Sequence, residues 1–379
     1  MKKILILNYE FPPLGGGAGN ATQNIARELA RIGNNVLVIT AWFPGCATDE
    51  VVDGYRLFRV KSKRARVDRS NIFEMLNYTR RAIVDGRDVV KEFKPDATIS
   101  FFAIPSGLVA CYFKKKFGVP YVVSLRGGDV PGFLPENLRW HHLFSAPLTS
   151  LVWKNAAGIV ANSEGLRVLA DKTASRYGKK VMMIPNGVNR EVFTPRTEGS
   201  PTTKTRILFV GRLTEQKGVT YIIDAVNKIL KTRSAPKGDM ACDIIGDGPL
   251  REVLEKKVME LGLSDTIKFH GWVPREKLPS FYQNADLFIL PSSDEGMPNV
   301  VLEAMASGLP IITTFVPGSE ELVVAGENGM LVKDRTNLVP AILDFLDNRE
   351  KWKAMGRASL ERSKKFDWAK IAVEYANLI

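Results

Sequence analysis

Short apolar runs alternate along this chain with stretches whose apolar residues recur at helical spacing. In the first half the runs Ile4–Asn8, Asn35–Thr40, Tyr55–Val60, Ala97–Phe101, Tyr121–Leu125, Gly158–Ala161 and Val181–Ile184 read as strands. Helical patterns such as Asn20–Ile32 and Ser106–Lys116 lie between them. Continuous rather than alternating apolar runs, separated by helices, predict a mostly parallel sheet covered on both faces. The second half repeats the plan. Strands are expected at Arg206–Gly211, Ala241–Gly246, Thr266–His270, 286–290 and Pro310–Thr313, with helices at Gly218–Leu230, Leu250–Leu261 and Arg275–Asn284. The turn Pro185-Asn-Gly187 and the polar segment Pro195–Thr205 mark the boundary between halves.

One further helix is unlike the others. Pro298 suits a first turn and Gly308 a stop, so a helix is expected from about Pro298 to Ser307. Val300, Val301, Leu302, Ala304, Met305 and Ala306 leave it no polar face, and such a helix is buried. Glu303 lies inside it, and an ionised carboxylate there is costly unless something polar meets it. Glu295 stands just upstream, after the strand at 286–290. The axial rise from Pro298 to Glu303 is only about 7–8 Å, so both carboxylates can border one pocket at the carboxyl end of a strand.

Composition narrows the classes. At 379 residues and 45% hydrophobic, the chain is long enough for two domains. Cys46, Cys111 and Cys242 are far apart and show neither metal-ligand spacing nor a disulfide framework, which fits a reducing cytoplasm. Asn8 and Glu10 cut the apolar run after Met1 too short for a signal peptide, and no stretch approaches the roughly 20 residues of a membrane span. The net charge of +12 is carried by one half. Residues 1–185 hold 27 Lys and Arg against 15 Asp and Glu, whereas the rest of the chain holds 26 of each (53 − 27 and 41 − 15). Lys61-Ser-Lys-Arg-Ala-Arg66, Arg80-Arg81 and Lys114–Lys116 concentrate it. Solvated helix faces account for such charge in the simplest way; anionic lipid headgroups or a phosphate-bearing acceptor are the alternatives. Nucleic acid fits poorly, because no stacking aromatics interleave with the basic runs.

Four strand-to-loop junctions carry phosphate-binding chemistry. Pro12-Pro-Leu-Gly-Gly-Gly-Ala-Gly19 would let backbone N–H groups approach an anion at a helix start. It does not fit the dinucleotide spacing, because Asn20 stands where the third glycine belongs, and Trp42 and Phe43 replace the acidic ribose ligand. Gly211-Arg212 and Lys217-Gly218 place two cations after a strand, suited to a diphosphate. Gly246-Asp-Gly-Pro249 is a tight strand-to-helix turn. The glutamate pair is the fourth junction.

In this order the motifs resemble the retaining glycosyltransferases of family 4, and the resemblance covers almost the whole chain. It includes Gly16-Gly17, Asn162-Ser163, Pro185-Asn-Gly-Val188, Gly211-Arg212 with Lys217-Gly218, Gly246-Asp-Gly-Pro249, His270-Gly-Trp272, Glu295 with Glu303, and Glu327-Asn-Gly329. The resemblance implies the GT-B fold: two Rossmann-like domains facing a cleft, residues 1–190 on the acceptor side and 191–365 holding the donor. About 366–379 would cross back to the first domain as a helix, with Asp367 as its cap.

Carried over residue by residue, Arg212 and Lys217 bind the donor diphosphate, Glu303 the ribose hydroxyls and Glu295 the transferred sugar. Gly296, Met297, Asn299 and Val300 face sugar and phosphate. Gly16 and Gly17 close over the donor from the first domain. Gly246 belongs to the donor site, and Trp272 and Val273 lie near the base. Asp129 joins Glu295, Arg212 and Lys217 as a catalytic candidate. Many members have a histidine before the Gly-x-Asp of the first domain; here Arg126 precedes Gly127-Gly-Asp129. His141 and His142 fit a surface or helix-packing role rather than the missing contact.

The expected reaction moves a sugar, with retention, from a UDP- or GDP-linked donor to a hydroxyl of a saccharide or lipid-linked acceptor. No Asp-x-Asp cluster follows a strand, so no metal and no cofactor beyond the donor are expected. A nucleotide-sugar epimerase, a sugar phosphorylase or a non-catalytic nucleotide-sugar binder are the other readings of the same layout. The expected location is the cytoplasm, at the inner face of the membrane if the basic half meets lipid.

Overall fold

A computed structural model describes residues 1–67, 70–133, 139–197, 204–232 and 240–379, without the side chains of 139–144. The chain divides into two compact units, Met1–Asn186 with Trp368–Ile379 and Gly187–Asp367. The side chains of His141 and His142, and residues 198–203 of the polar boundary segment, lie outside the described residues.

The first unit is built on eight strands: β1 (Lys3–Leu7), β2 (Asn35–Ala41), β3 (Asp49–Val52), β4 (Tyr55–Val60), β5 (Ala97–Phe101), β6 (Tyr121–Leu125), β7 (Gly158–Ala161) and β8 (Val181–Met183). They lie in the order β3-β4-β2-β1-β5-β6-β7-β8. All neighbours run parallel except the β3–β4 hairpin at one edge. The apolar pattern does not predict that hairpin. Its turn is Asp53-Gly54, both at positive φ (47° and 84°), the geometry that joins two strands by two residues. Two apolar clusters form the core of this unit. The helix Trp368–Leu378 closes one of them, burying Trp368, Ile371, Ala372 and Tyr375 with Ile4, Ile25 and Val36. Asp367 stands immediately before it, at the expected cap position.

The second unit has six strands, all parallel: β9 (Thr205–Val210), β10 (Met240–Ile245), β11 (Ile267–Gly271), β12 (Leu287–Leu290), β13 (Ile311–Thr314) and β14 (Gly329–Val332). Their order is β11-β10-β9-β12-β13-β14. The chain winds outward from β9 on one side and then from β12 on the other, so the winding reverses between these two strands. In such sheets ligands bind outside the carboxyl ends at that reversal. In the first unit the reversal falls between β1 and β5.

Among the boundaries that differ from those the pattern predicts, three border the predicted site residues. The first helix runs Gly17–Arg31, beginning inside the glycine-rich turn rather than at Asn20. The stretch expected as one helix from Arg275 to Asn284 is a 3₁₀ turn, Arg275–Lys277, followed by a helix at Leu278–Asn284. The buried helix is Asn299–Ala306, and Pro298 is its cap (φ −75°, ψ 112°) rather than its first residue. Its stop is as expected. Gly308 has φ +71°, its N–H bonds Met305 O (3.0 Å) and that of Leu309 bonds Ala304 O (3.0 Å), the paired bonds of a left-handed helix end.

Candidate functional site

Because all strands of the second sheet are parallel, the loops after β9, β10, β11, β12 and β13 emerge on one edge. These loops carry Arg212 and Lys217, Gly246, Trp272 and Val273, Glu295 to Pro298, and Gly318 respectively. Backbone hydrogen bonds lace the first three. Gly211 N–H donates to Ile245 O (3.0 Å), Leu213 N–H to Asp247 O (3.0 Å) and Gly246 N–H to Gly271 O (2.8 Å). Gly246 is required there: its φ is +128° and a Cβ would sit 1.9 Å from Gly211 O. Gly246→Ala is therefore expected to lower stability by at least about 2 kcal/mol in urea unfolding. A melt unchanged from the parent would contradict this packing.

At the reversal between β9 and β12 two turns are joined. Ser293 N–H donates to Gln216 O (2.8 Å) and Gln216 Nε2 to Asp294 O (2.7 Å). Gly218, at φ +69°, leaves room for Pro291 O, which a Cβ would approach to 2.4 Å. This seam sets Lys217 Nζ 2.5 Å from Glu295 Oε1, and Ser292 Oγ donates to the same oxygen at 2.6 Å. Glu295 is only 7% exposed, and these two donors meet its buried carboxyl group. From the far side Gly318 (φ +82°) presses on the loop, where a Cβ would lie 1.9 Å from Gly296 O. Arg212 follows β9 with a half-buried side chain.

Glu303 has different partners. It is 3% exposed, its Oε1 lies 2.9 Å from Arg275 Nη2, and its Oε2 accepts from Tyr282 Oη at 2.9 Å. Burial first, and then the carboxylate beside it, push the Tyr282 hydroxyl well above its usual pKa, so it remains a donor. Arg275 also stands over the Phe193 ring (5.3 Å). The buried carboxylate thus finds its polar company within the protein. Met297 is buried, Asn299 and Val300 are half-buried, and Val273 packs on the core. Trp272 is 66% exposed, a large apolar surface at the loop after β11.

The remaining predicted residues belong to the first unit. Gly16 precedes the first helix with open space where a Cβ would be, and Gly17 begins the helix. Neither a side-chain cap nor an acidic residue occupies that first turn, which leaves a positive helix end. Asp129 accepts from the N–H groups of Arg126 (2.9 Å), Gly127 (3.2 Å) and Ala103 (3.1 Å). Burial raises its pKa, and those N–H groups pull it back. Ala103 follows Phe102, held at φ +67° at the end of β5, an unusual conformation for an aromatic residue.

Arg126 lies over the Phe101 ring (4.5 Å), with Nη1 2.5 Å from Asn186 Oδ1 and Nη2 3.3 Å from the Tyr375 hydroxyl. Tyr375 is also bonded to Ser124 Oγ (2.7 Å). Arg126 therefore ties the C-terminal helix to the sheet of the first unit.

Sequence reasoning missed Ser292, Arg275, Tyr282 and Gly318. Ser292 was legible as a hydroxyl three residues before Glu295. Arg275 and Tyr282 meet Glu303 across 28 and 21 residues, and no local pattern announces them.

Residues 15–192 match the family described as Glycosyltransferase Family 4, and residues 192–362 match Glycosyl transferases group 1. An uncharacterized glycosyltransferase of Methanocaldococcus jannaschii is 30% identical over 370 residues, covering 97% of this chain and 95% of that protein. Sucrose-phosphate synthase from Thermosynechococcus elongatus superposes with a TM-score of 0.86 at 21% identity, over 100% of this chain and 98% of that one. HepE of Anabaena, solved in complex with UDP-glucose, gives 0.77 at 19% identity over 100% and 99%. The parallel sheets, the order of the loops and these matches agree: the chain belongs to the family 4 glycosyltransferases and has the GT-B fold.

Proposed function

We propose that the protein transfers a sugar, with retention of anomeric configuration, from a nucleoside diphosphate sugar to an acceptor hydroxyl. The observation that carries this reading is the cluster of Lys217, Glu295 and Ser292 at the reversal of the second sheet, with Arg212 on the same loop as Lys217. Lys217 and Arg212 hold the diphosphate and stabilise the charge that develops as it leaves. Glu295 sets the position of the Lys217 ammonium and orients the sugar. Glu303 takes the ribose hydroxyls with the carboxylate that Arg275 and Tyr282 already hold in place. UDP-glucose, with which the Anabaena HepE structure is in complex, is of this chemical class.

With the two cations Arg212 and Lys217 available, the leaving diphosphate needs no metal. The acceptor hydroxyl attacks on the face from which the diphosphate departs, and the leaving phosphate oxygen takes its proton. The acceptor is a saccharide or lipid-linked glycan destined for the cell surface, met by the basic first unit at the cytoplasmic face of the membrane.

A thermal-shift screen across UDP-, GDP- and ADP-sugars tests the donor. One of the UDP- or GDP-sugars is expected to raise Tm, since a ligand at 100 times its Kd stabilises by about 2.7 kcal/mol. No shift with any of them overturns the reading. Transfer insensitive to EDTA, and product of unchanged anomeric configuration by NMR, are the expected accompaniments.

A further inference from the structure

The helix Ile72–Val84 lies on the first unit and turns two unlike faces outward and inward. At 100° per residue, Tyr78, Ala82 and Met75 fall within about 60° of one another. Tyr78 and Ala82 are fully buried, and Met75 packs on the same core. Ile72, Leu76, Arg80, Phe73 and Val84 fall on a different arc of about 120°. On that arc Ile72 is 64% exposed, Phe73 78%, Leu76 55% and Val84 52%. Four large apolar residues on one exposed stripe are more than the scattered surface leucine that needs no explanation.

The basic segment Lys61–Arg66 is fastened along the border of this stripe. Lys63 N–H donates to Asn77 Oδ1 (2.7 Å) and Ala65 N–H to Glu74 Oε1 (2.8 Å). Glu74 also closes a capping box with Asn71, which fixes the start of the helix. Around the helix Asn77 lies about 40° from Phe73 and about 20° from Val84, and Glu74 about 60° beyond Asn77 toward the buried face. Lys61, Lys63 and Arg66 are therefore held exposed beside the apolar stripe, and Arg80 is exposed within it. An apolar ridge flanked by cations fits the interface of an anionic bilayer, where the ridge enters the acyl boundary and the cations meet headgroups. The same unit carries the whole +12 of the chain, so its long-range field points to the same partner.

We propose that the helix Ile72–Val84, with Phe73 and Leu76 as its inserting side chains and Lys61, Lys63 and Arg80 as its headgroup contacts, docks this protein on anionic membrane. The proposal extends the reading of a membrane-bound acceptor, but its test needs neither donor nor acceptor. The purified protein is floated with vesicles of phosphatidylcholine alone or mixed with an equal amount of phosphatidylglycerol. Binding to the anionic vesicles is expected to be at least about tenfold stronger and to fall with salt.

Phe73→Glu/Leu76→Glu and Lys61→Glu/Lys63→Glu are each expected to reduce it by about tenfold or more, with unchanged Tm and an unchanged shift by donor. Equal binding to both vesicle types overturns the proposal, as does anionic binding that survives Phe73→Glu/Leu76→Glu. A parent protein that ignores vesicles but dimerises through this stripe also overturns it, and assigns the face to a second copy. A failed donor screen beside intact vesicle binding would count against the proposed reaction and leave the docking helix standing.

Discussion

Lys217→Ala is expected to lower kcat/KM for sugar transfer by about 10²–10³-fold, the range seen when one preorganised electrostatic partner is lost from a charge-developing site. The variant should also be less stable, because Glu295 is 7% exposed and would keep only Ser292 as a donor. Stranding a buried acceptor costs roughly 1–3 kcal/mol, and more when it is charged. The two effects can be separated. In Lys217→Ala/Glu295→Ala no stranded carboxylate remains, so stability should recover toward the parent while activity stays lost.

Glu295→Ala alone is expected to lose transfer to a similar degree, because it removes both the sugar contact and the group that fixes Lys217 Nζ at 2.5 Å. Single-turnover rates and urea melts on the three variants read both quantities. Full activity in purified Lys217→Ala and Glu295→Ala would remove these residues from the reaction, and a double variant as unstable as Lys217→Ala would deny the stranded charge.

The pairing of Lys217 with Glu295 also shows what could and could not be read from the chain. The sheets were legible because their strands are continuous apolar runs, such as Ile4–Leu7 and Leu287–Leu290, that only a strand buried on both faces explains. The edge strand β3 was not, since Asp49-Glu50-Val-Val carries half its residues to solvent and takes its register from Asp53-Gly54. β14 escaped for a related reason: Gly329–Val332 is short and begins with a glycine whose missing Cβ admits Ile311 O.

Within the site, the residue types at strand ends pointed to Arg212, Lys217 and Glu295, and the structure places Lys217 against Glu295. Residue types could not give the contact between Lys217 and Glu295, 78 residues apart, because that contact exists only once β9 lies beside β12. Arg126 illustrates the converse. It stands before Gly127-Gly-Asp129 where many members carry a histidine, and the structure gives its guanidinium Phe101, Asn186 and Tyr375. A sequence position fixes where a side chain starts, whereas its partners depend on which distant helix returns to cover it.

The buried glutamate of the helix Asn299–Ala306 supports the second large prediction. Glu303→Gln is expected to weaken donor binding by about 10²-fold, since two hydrogen bonds from ribose hydroxyls to a charged acceptor contribute about 1.5–3 kcal/mol each and an amide retains only part of that. Stability should change little. The new amide would keep an oxygen for Tyr282, and Arg275, with 39% of its side chain exposed, can turn to water.

Arg275→Ala should behave in the opposite way. It leaves a carboxylate at 3% exposure with one neutral donor, and the loss of a partner from a buried ion pair costs about 3–5 kcal/mol where water is excluded. Because Arg275 is itself partly exposed, water can enter where it stood, and about 2 kcal/mol is the expected loss. Arg275→Ala/Glu303→Gln should then melt near the parent, because the stranded charge is gone, yet bind donor as poorly as Glu303→Gln. Isothermal titration with the donor and urea unfolding on the three variants give both axes. Donor affinity that follows Arg275 rather than Glu303 would transfer the ribose contact to the arginine and make the carboxylate its support.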